Sequence, residues 1–301
     1  MKTVPECYSC FLRQGLEAAH SAGADAAMQL KVVRAIAAYL AGDLGEGSPV
    51  LFVREIQQVV ARITGVSDPY LPIKASSNRE ALSLVKVIER DFDGSGVLED
   101  YLRIAIAGNV IDYGPAARLG IEETLERCLT ATLSRSDLTA LEERLQGCRK
   151  LAYLADNAGE IVFDRLLLEF LLRSYDIEEV LFVVRENPFL NDALEADAKV
   201  AGITELPGVK LVSMDAGVPT SGDSGYAVWQ SVLAADLRIA KGQANAEALD
   251  DQSDFFLLFM CKCELVAKTF EAKAKVPLEL GDLVLLNTGS PSHSTNRTLH
   301  F

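Results

Sequence analysis

The sequence predicts an α/β protein whose helical N-terminal part packs on a doubly wound, mostly parallel sheet with helices on both faces. Three observations carry that expectation. Residues 5 to about 145 place apolar side chains at helical spacing almost throughout. From Lys150 the rhythm changes: short apolar runs at 151–155, 178–184, 209–213, 236–240 and 282–286 alternate with amphipathic segments at 160–173, 192–201, 225–234, 244–250 and 262–271. Polar clusters also follow the strand candidates, at the sheet edge where open α/β folds bind ligands.

The chain is 301 residues long, with 49% hydrophobic and 24% charged residues, as expected of a globular protein with a large core. We divide it into a helical domain roofing the site (1–148), a Rossmann-like α/β domain with the metal site (149–286) and a C-terminal tail (287–301) rich in Ser, Thr and Asn. A formal net charge of -14 argues against a nucleic-acid partner, because phosphate backbones need concentrated basic surface. The N-terminal residues lack a signal-peptide pattern, and no apolar run is long enough to span a bilayer. The expectation is a cytoplasmic protein without membrane or nucleic-acid partners. Its oligomeric state is not encoded in any motif.

Taken in order, Pro5 suits a first helical turn, with Cys10, Leu12 and Leu16 along the following face. A second helix spans Ala24 to about Ala41 and stops at Gly42. A third covers Leu51 to Ile63 and stops before Gly65. Asp68, Pro69, Tyr70 and Pro72 read as a connector, and helix resumes from Ser77 to Ile88. The segment Leu102 to Gly114 is apolar and helical, carrying Asn109 and Asp112 toward its end, and 117–146 holds one or two charged amphipathic helices.

Asp156 and Asn157 stand where the first strand gives way to a helix beginning at Glu160, and Gly159 allows the turn. Capping of that helix is the structural alternative. Asp192 follows the second strand and precedes a helix, so capping is again an alternative, but neighbouring strands would bring the two clusters to one crevice. Two carboxylates and an amide oxygen suit Mg²⁺ or Mn²⁺, with room left for water and a phosphate. Lys241 leaves the fourth strand just before Gly242, as a compact charge able to meet a phosphoryl oxygen or as a solvated surface lysine. Cys7 and Cys10 form a CxxC at a helix start. With one of the later pair, Cys261 or, in the preferred set, Cys263, they make a candidate cluster for zinc, the alternative being buried apolar thiols. The sequence has no P-loop, no GxGxxG after a strand and no GxSxG elbow, and its three histidines are scattered.

Leu154-Ala-Asp-Asn-Ala-Gly-Glu-Ile-Val-Phe-Asp164 resembles the signature of the metal-dependent damage-control phosphatases, also known as domain of unknown function eighty-nine. The likeness spans nearly the whole chain: Cys7/Cys10, Arg103 to Asp112, Asn191-Asp192, Ile239 to Gln243 and Lys262-Cys263 follow in the expected order. The N-terminal CxxC resembles the short prokaryotic subfamily. The resemblance implies a divalent metal (Mn, Mg, Co or Ni) on Asp156, Asn157 and Asp192. It further implies phosphate contact from Lys241, with Asn109, Asp112 and Lys262 near the same pocket. Ala244-Asn245-Ala246 departs from the family, where an aromatic residue commonly follows Gly-Asn, and the change predicts an altered substrate wall.

The function expected is a metal-dependent phosphomonoesterase acting on a small phosphorylated metabolite, damaged ones among them. Asp156, Asp192 and Lys241 would be catalytic, with Glu160 and the backbone amides of Gly159 and Gly242 contributing to substrate binding. The attacking group is either water or an aspartate. The alternatives are a non-catalytic metal or metabolite sensor on the same scaffold and, with less support, a methyltransferase.

Overall fold

A computed structural model describes residues 1–42, 47–91, 96–108 and 132–289. The helical part contains α1 (Pro5–Ser21), α2 (Ala26–Leu40), α3 (Pro49–Thr64), α4 (Leu71–Asp91) and α5 (Leu98–Ala107). Local chemistry sets their ends. Pro5 and Pro49 occupy first turns, where a missing N–H costs nothing. Asp25 caps α2 by accepting the Met28 N–H at 2.8 Å, and Gly65 closes α3 at φ 76°. Helix α4 begins at Leu71 rather than at Ser77, since Pro72 is tolerated in a first turn and need not break the helix. That shift brings Lys74 into the helix, one turn before Asn78.

After β1 (Arg135–Ser136) and α6 (Leu138–Leu145) come β2 (Lys150–Leu154), α7 (Glu160–Ser174), β3 (Glu179–Arg185), α8 (Glu195–Val200), β4 (Val209–Met214) and α9 (Tyr226–Leu233). The chain then continues through β5 (Leu237–Lys241), α10 (Gln243–Ala248), β6 (Phe256–Met260), α11 (Glu264–Ala274) and β7 (Leu283–Asn287). The sheet order is β1-β7-β6-β5-β2-β3-β4. Strands β6, β5, β2, β3 and β4 run parallel, and β7 pairs antiparallel with β6.

Besides α4, three elements differ from expectation, the first being the short strand β1, which interrupts the helical stretch expected over 117–146. Phe256–Met260 is a central strand, although its continuous apolar run carries no period that separates strand from buried helix. Helix α8 starts at Glu195, three residues after Asp192, and the Asp197 carboxylate caps it by accepting the Leu194 N–H at 2.9 Å.

The pleat of β2 divides the core. Leu151, Tyr153 and Ala155 face a cluster shared with α4, α5 and α7, whereas Ala152 and Leu154 face one shared with α9 and α11. A third cluster joins α1, α2 and α3 to Phe189 and Ala216, so these helices pack against the loops that follow β3 and β4. None of the described helices is long and apolar enough to cross a membrane. Strand order decides where a ligand can sit. The chain moves outward from β2 through β3 to β4, then restarts at β5 on the other side of β2. The connections leaving β2 and β5 diverge there and open a crevice at their C-terminal ends.

Candidate functional site

Asp156 and Asn157 follow β2 at this crevice, and neither caps α7: its N-cap is Gly159, at φ 81°, with no side-chain cap bond. Asn157 instead forms an antiparallel bridge with Asp192, while the Ala193 N–H donates to the Asp156 carbonyl at 2.8 Å and the Ala158 N–H to the Asn191 carbonyl at 2.9 Å. These backbone bonds lock the two loops together and bring both buried aspartates to one place. Gly242 completes the packing. Its φ is 80°, and an added Cβ would lie 1.9 Å from Asp156 Oδ2.

The side chains leave oxygen donors for a cation. Asn157 Nδ2 donates to Asp156 Oδ2 at 2.8 Å and to Glu160 Oε2 at 3.2 Å, directing the amide oxygen away from them. Arg185 Nε donates to Asp192 Oδ2 at 2.7 Å, and the same guanidinium donates to Asn245 Oδ1 at 2.8 Å. Burial, the Glu160 charge and the Asp192 charge hold the Asp156 carboxyl well above the usual carboxylate range. Burial also raises Asp192, against the opposing pull of Arg185. Two crowded carboxylates that resist ionising, together with an amide oxygen, are a hard-oxygen set that fits a divalent ion. Among the described residues no group of three or more His, Cys, Asp or Glu side chains is arranged to hold a metal, so an ion held here would need the Asn157 oxygen beside the two carboxylates.

Lys241 lies beneath this set. It is fully buried, and its Nζ donates to Glu160 Oε1 at 2.6 Å, Asp164 Oδ1 at 2.7 Å and the Ala105 carbonyl at 2.9 Å. Tyr153 OH donates to the same Asp164 oxygen at 2.8 Å. Burial would lower the lysine pKa, but Asp164 and Glu160 outweigh it and hold the ammonium charged. The three donated protons are directed within the core, so neither a solvated surface lysine nor a ready phosphate contact describes this geometry. Glu160, also fully buried, accepts from Lys241 on one oxygen and from Asn157 on the other, joining the lysine network to the aspartate set.

The two amides expected to meet an anion are engaged elsewhere. The Gly159 N–H donates to Asn78 Oδ1 at 2.7 Å, and the Gly242 N–H to the Leu258 carbonyl at 3.0 Å. Lys262 is exposed, and its charge reaches Asp156, lowering that carboxyl against the dominant effect of burial. Asn109 and Asp112 lie outside the described residues. Ala246 is fully buried in the cluster with Leu249, Phe255 and Val266, so the missing aromatic is a change of core and not of a substrate wall.

Cys7, Cys10 and Cys263 are half-buried free thiols. Burial raises Cys7, with smaller contributions from Glu247, Cys263 and Cys10. Among the described residues no three Cys, His, Asp or Glu side chains are grouped to hold a metal, so the zinc cluster expected of these thiols is not formed.

Sequence reasoning missed Asp164, Arg185, Asn245, Lys74 and Asn78. Asp164 had a readable signal, being one turn beyond Glu160 on α7. The others had none: Arg185 and Asn245 meet across 60 residues, and Asn78 Nδ2 reaches Asp197 Oδ1 across 119.

Comparison with known proteins identifies the family and the fold. The family model for the damage-control phosphatase ARMT1-like domain matches residues 3–276. An uncharacterised protein of Methanocaldococcus jannaschii is 30% identical over 300 residues, covering 95% of each chain. Damage-control phosphatase PH1575 of Pyrococcus horikoshii is 30% identical over 286 residues, covering 92% of this chain and 96% of its own. A damage-control phosphatase of Archaeoglobus fulgidus is 32% identical over 237 residues, covering 76% and 79%. The crystal structure of a DUF89 family protein from P. horikoshii superposes with a TM-score of 0.83 at 30% identity, covering 96% of this chain and 99% of that one. The chain belongs to the damage-control phosphatase family with the ARMT1-like domain.

Proposed function

We propose that this protein is a metal-dependent phosphatase hydrolysing phosphate monoesters of small metabolites, damaged ones among them, in the cytoplasm. The observation that carries the reading is the buried Asp156–Asp192 pair at the switch between β2 and β5, bridged through Asn157. A divalent ion (Mn, Mg, Co or Ni) on these three side chains would supply charge neutralisation and polarise the phosphoryl group.

The chain's own residues supply orientation. Arg185 fixes Asp192, and Gly242 lets the Asp156 carboxylate approach the backbone closely. Lys241 sets Glu160, which sets the Asn157 amide; we read it as a positioning residue that acts through others. The positive charge expected to meet the phosphoryl oxygens is then Lys262, exposed and within reach of Asp156. The names of the curated relatives support a phosphatase activity, and the choice of substrate rests with the walls around the crevice.

The test is phosphate release from p-nitrophenyl phosphate by chelator-stripped protein, with Mg²⁺, Mn²⁺, Co²⁺ and Ni²⁺ added separately. Turnover restored by metal and lost in Asp192→Ala is the expected result. Metal binding by calorimetry without release of phosphate from any ester would overturn the reading in favour of a sensor.

A further inference from the structure

A cavity of about 370 Å³ lies between α3, the α3–α4 connector and the loops after β3 and β4, the first of which leads on to Asp192. Gln57, Arg54, Asp68, Asn187, Phe189 and Asp215 are among its lining residues. Several links tie it to Asp192. The Phe189 carbonyl accepts the Asp192 N–H at 3.0 Å. Arg185, which holds Asp192, stands 5.8 Å over the Phe189 ring. Asp68 pairs at 2.5 Å with the buried Lys74, whose charge also acts on Asp192.

Gln57 is the informative residue. It is only 8% exposed, and its Nε2 has no hydrogen-bond partner among the described residues. A buried amide donor without an acceptor is costly in a folded protein, and an acceptor entering the cavity would remove that cost. Its charged neighbours have partners. Lys74 answers Asp68, Arg54 lies 4.0 Å from Glu55, and Asp215 accepts from Asn187 Nδ2 at 2.9 Å. Such a lining has no excess positive charge for a second phosphate, and its polar groups are poorly matched to an alkyl chain.

We propose that this cavity is the leaving-group subsite of the phosphatase centre, with Gln57 as its specificity-determining donor. The organic group it takes is uncharged and carries a hydrogen-bond-accepting oxygen. The proposal rests on the phosphatase reading above. A phosphate ester bound across the crevice would place its phosphoryl group at Asp156 and Asp192 and offer an oxygen of its alcohol to Gln57.

The experiment compares three five-carbon esters, ribitol 5-phosphate, n-pentyl phosphate and ribitol 1,5-bisphosphate, on wild type and Gln57→Leu with metal present. Wild type should favour ribitol 5-phosphate over either of the others by about tenfold in kcat/KM, the scale of one hydrogen bond to a buried donor. Gln57→Leu should lose that preference through KM. Saturation-transfer NMR of ribitol 5-phosphate on chelator-stripped protein should show contact with the ribitol protons in wild type and a weaker signal in the variant. Because the leucine removes an unsatisfied donor, the variant should melt no lower than wild type; a merely structural glutamine would lower the melting temperature. Turnover with equal preference in both proteins would overturn the subsite alone. No release from any ester by wild type would bring down the phosphatase reading and this role of the cavity together.

Discussion

Two acidic clusters sit a few residues apart in this fold, and the protein treats them differently. Below, Glu160 and Asp164 surround Lys241, so the chain supplies its own cation and closes the network with Tyr153 and the Ala105 carbonyl. Above, Asp156 and Asp192 are pressed together, with Arg185 on Asp192, and both carboxyls are held above their ordinary range by burial. In the lower cluster one ammonium group bonds both carboxylates, whereas in the upper one the guanidinium of Arg185 bonds Asp192, and the divalent cation of the proposed function would add a second positive charge. Where the cation sits, more than the number of carboxylates, distinguishes a structural network from a candidate metal site.

That contrast can be broken most forcefully by one substitution in each cluster. Asp156→Asn should cut metal-dependent phosphate release about 10³-fold or more, since it removes a ligand charge at the reacting centre. The same change relieves carboxylate crowding, so the fold should survive with an unchanged or higher melting temperature. Lys241→Met should do the reverse. It strands Glu160 and Asp164 without a cation and should cost about 3–5 kcal/mol of stability, read as a fall in the urea midpoint. Loss of stability in Asp156→Asn as large as in Lys241→Met would erase the distinction.

A smaller effect is expected at the seam between the two clusters. Gly242→Ala places a methyl group against the Asp156 carboxylate and strains a backbone held at φ 80°, costing about 1–2 kcal/mol. Because the displaced group is a proposed ligand, calorimetric metal affinity should fall along with stability. An alanine variant with wild-type metal affinity would show that the close approach is incidental.

The smallest effect concerns pH. Burial, only partly offset by Lys241, raises Asp164 from 3.8 to about 6. In that window the folded state holds a proton that the unfolded state has lost, so this group's contribution to stability falls as pH rises and is gone above about 6. Asp164→Asn removes the titration while leaving an oxygen for Lys241 and Tyr153, and it leaves Lys241 matched by Glu160 alone. Its urea midpoint should therefore drop less than wild type's between about pH 4.5 and pH 7. Parallel pH profiles would place the proton elsewhere in the network.

The strand ends that carry the candidate residues were legible from the chain because their signals are local. An apolar run ending in Asp156-Asn157 and Gly159, a second ending before Asp192 and a third ending in Lys241-Gly242 mark strand ends whichever way the sheet is wound. The strand at Phe256–Met260 was not legible, because a short, uniformly apolar run carries no period. The role of Lys241 was not legible either. A lysine at a sheet edge has the same local sequence whether its ammonium group points to ligand or to core.

By itself, then, the sequence determined the alternation of strand and helix, the polar strand ends and the residue types available for a hard cation, all properties of neighbouring residues. The tertiary structure decided how the charges are shared. Lys241 finds Glu160 across 81 residues, Asp164 across 77 and the Ala105 carbonyl across 136, and Arg185 finds Asn245 across 60. No local pattern carries that information, because an ion pair in a low-dielectric core depends on which groups the packed chain brings within a few ångströms.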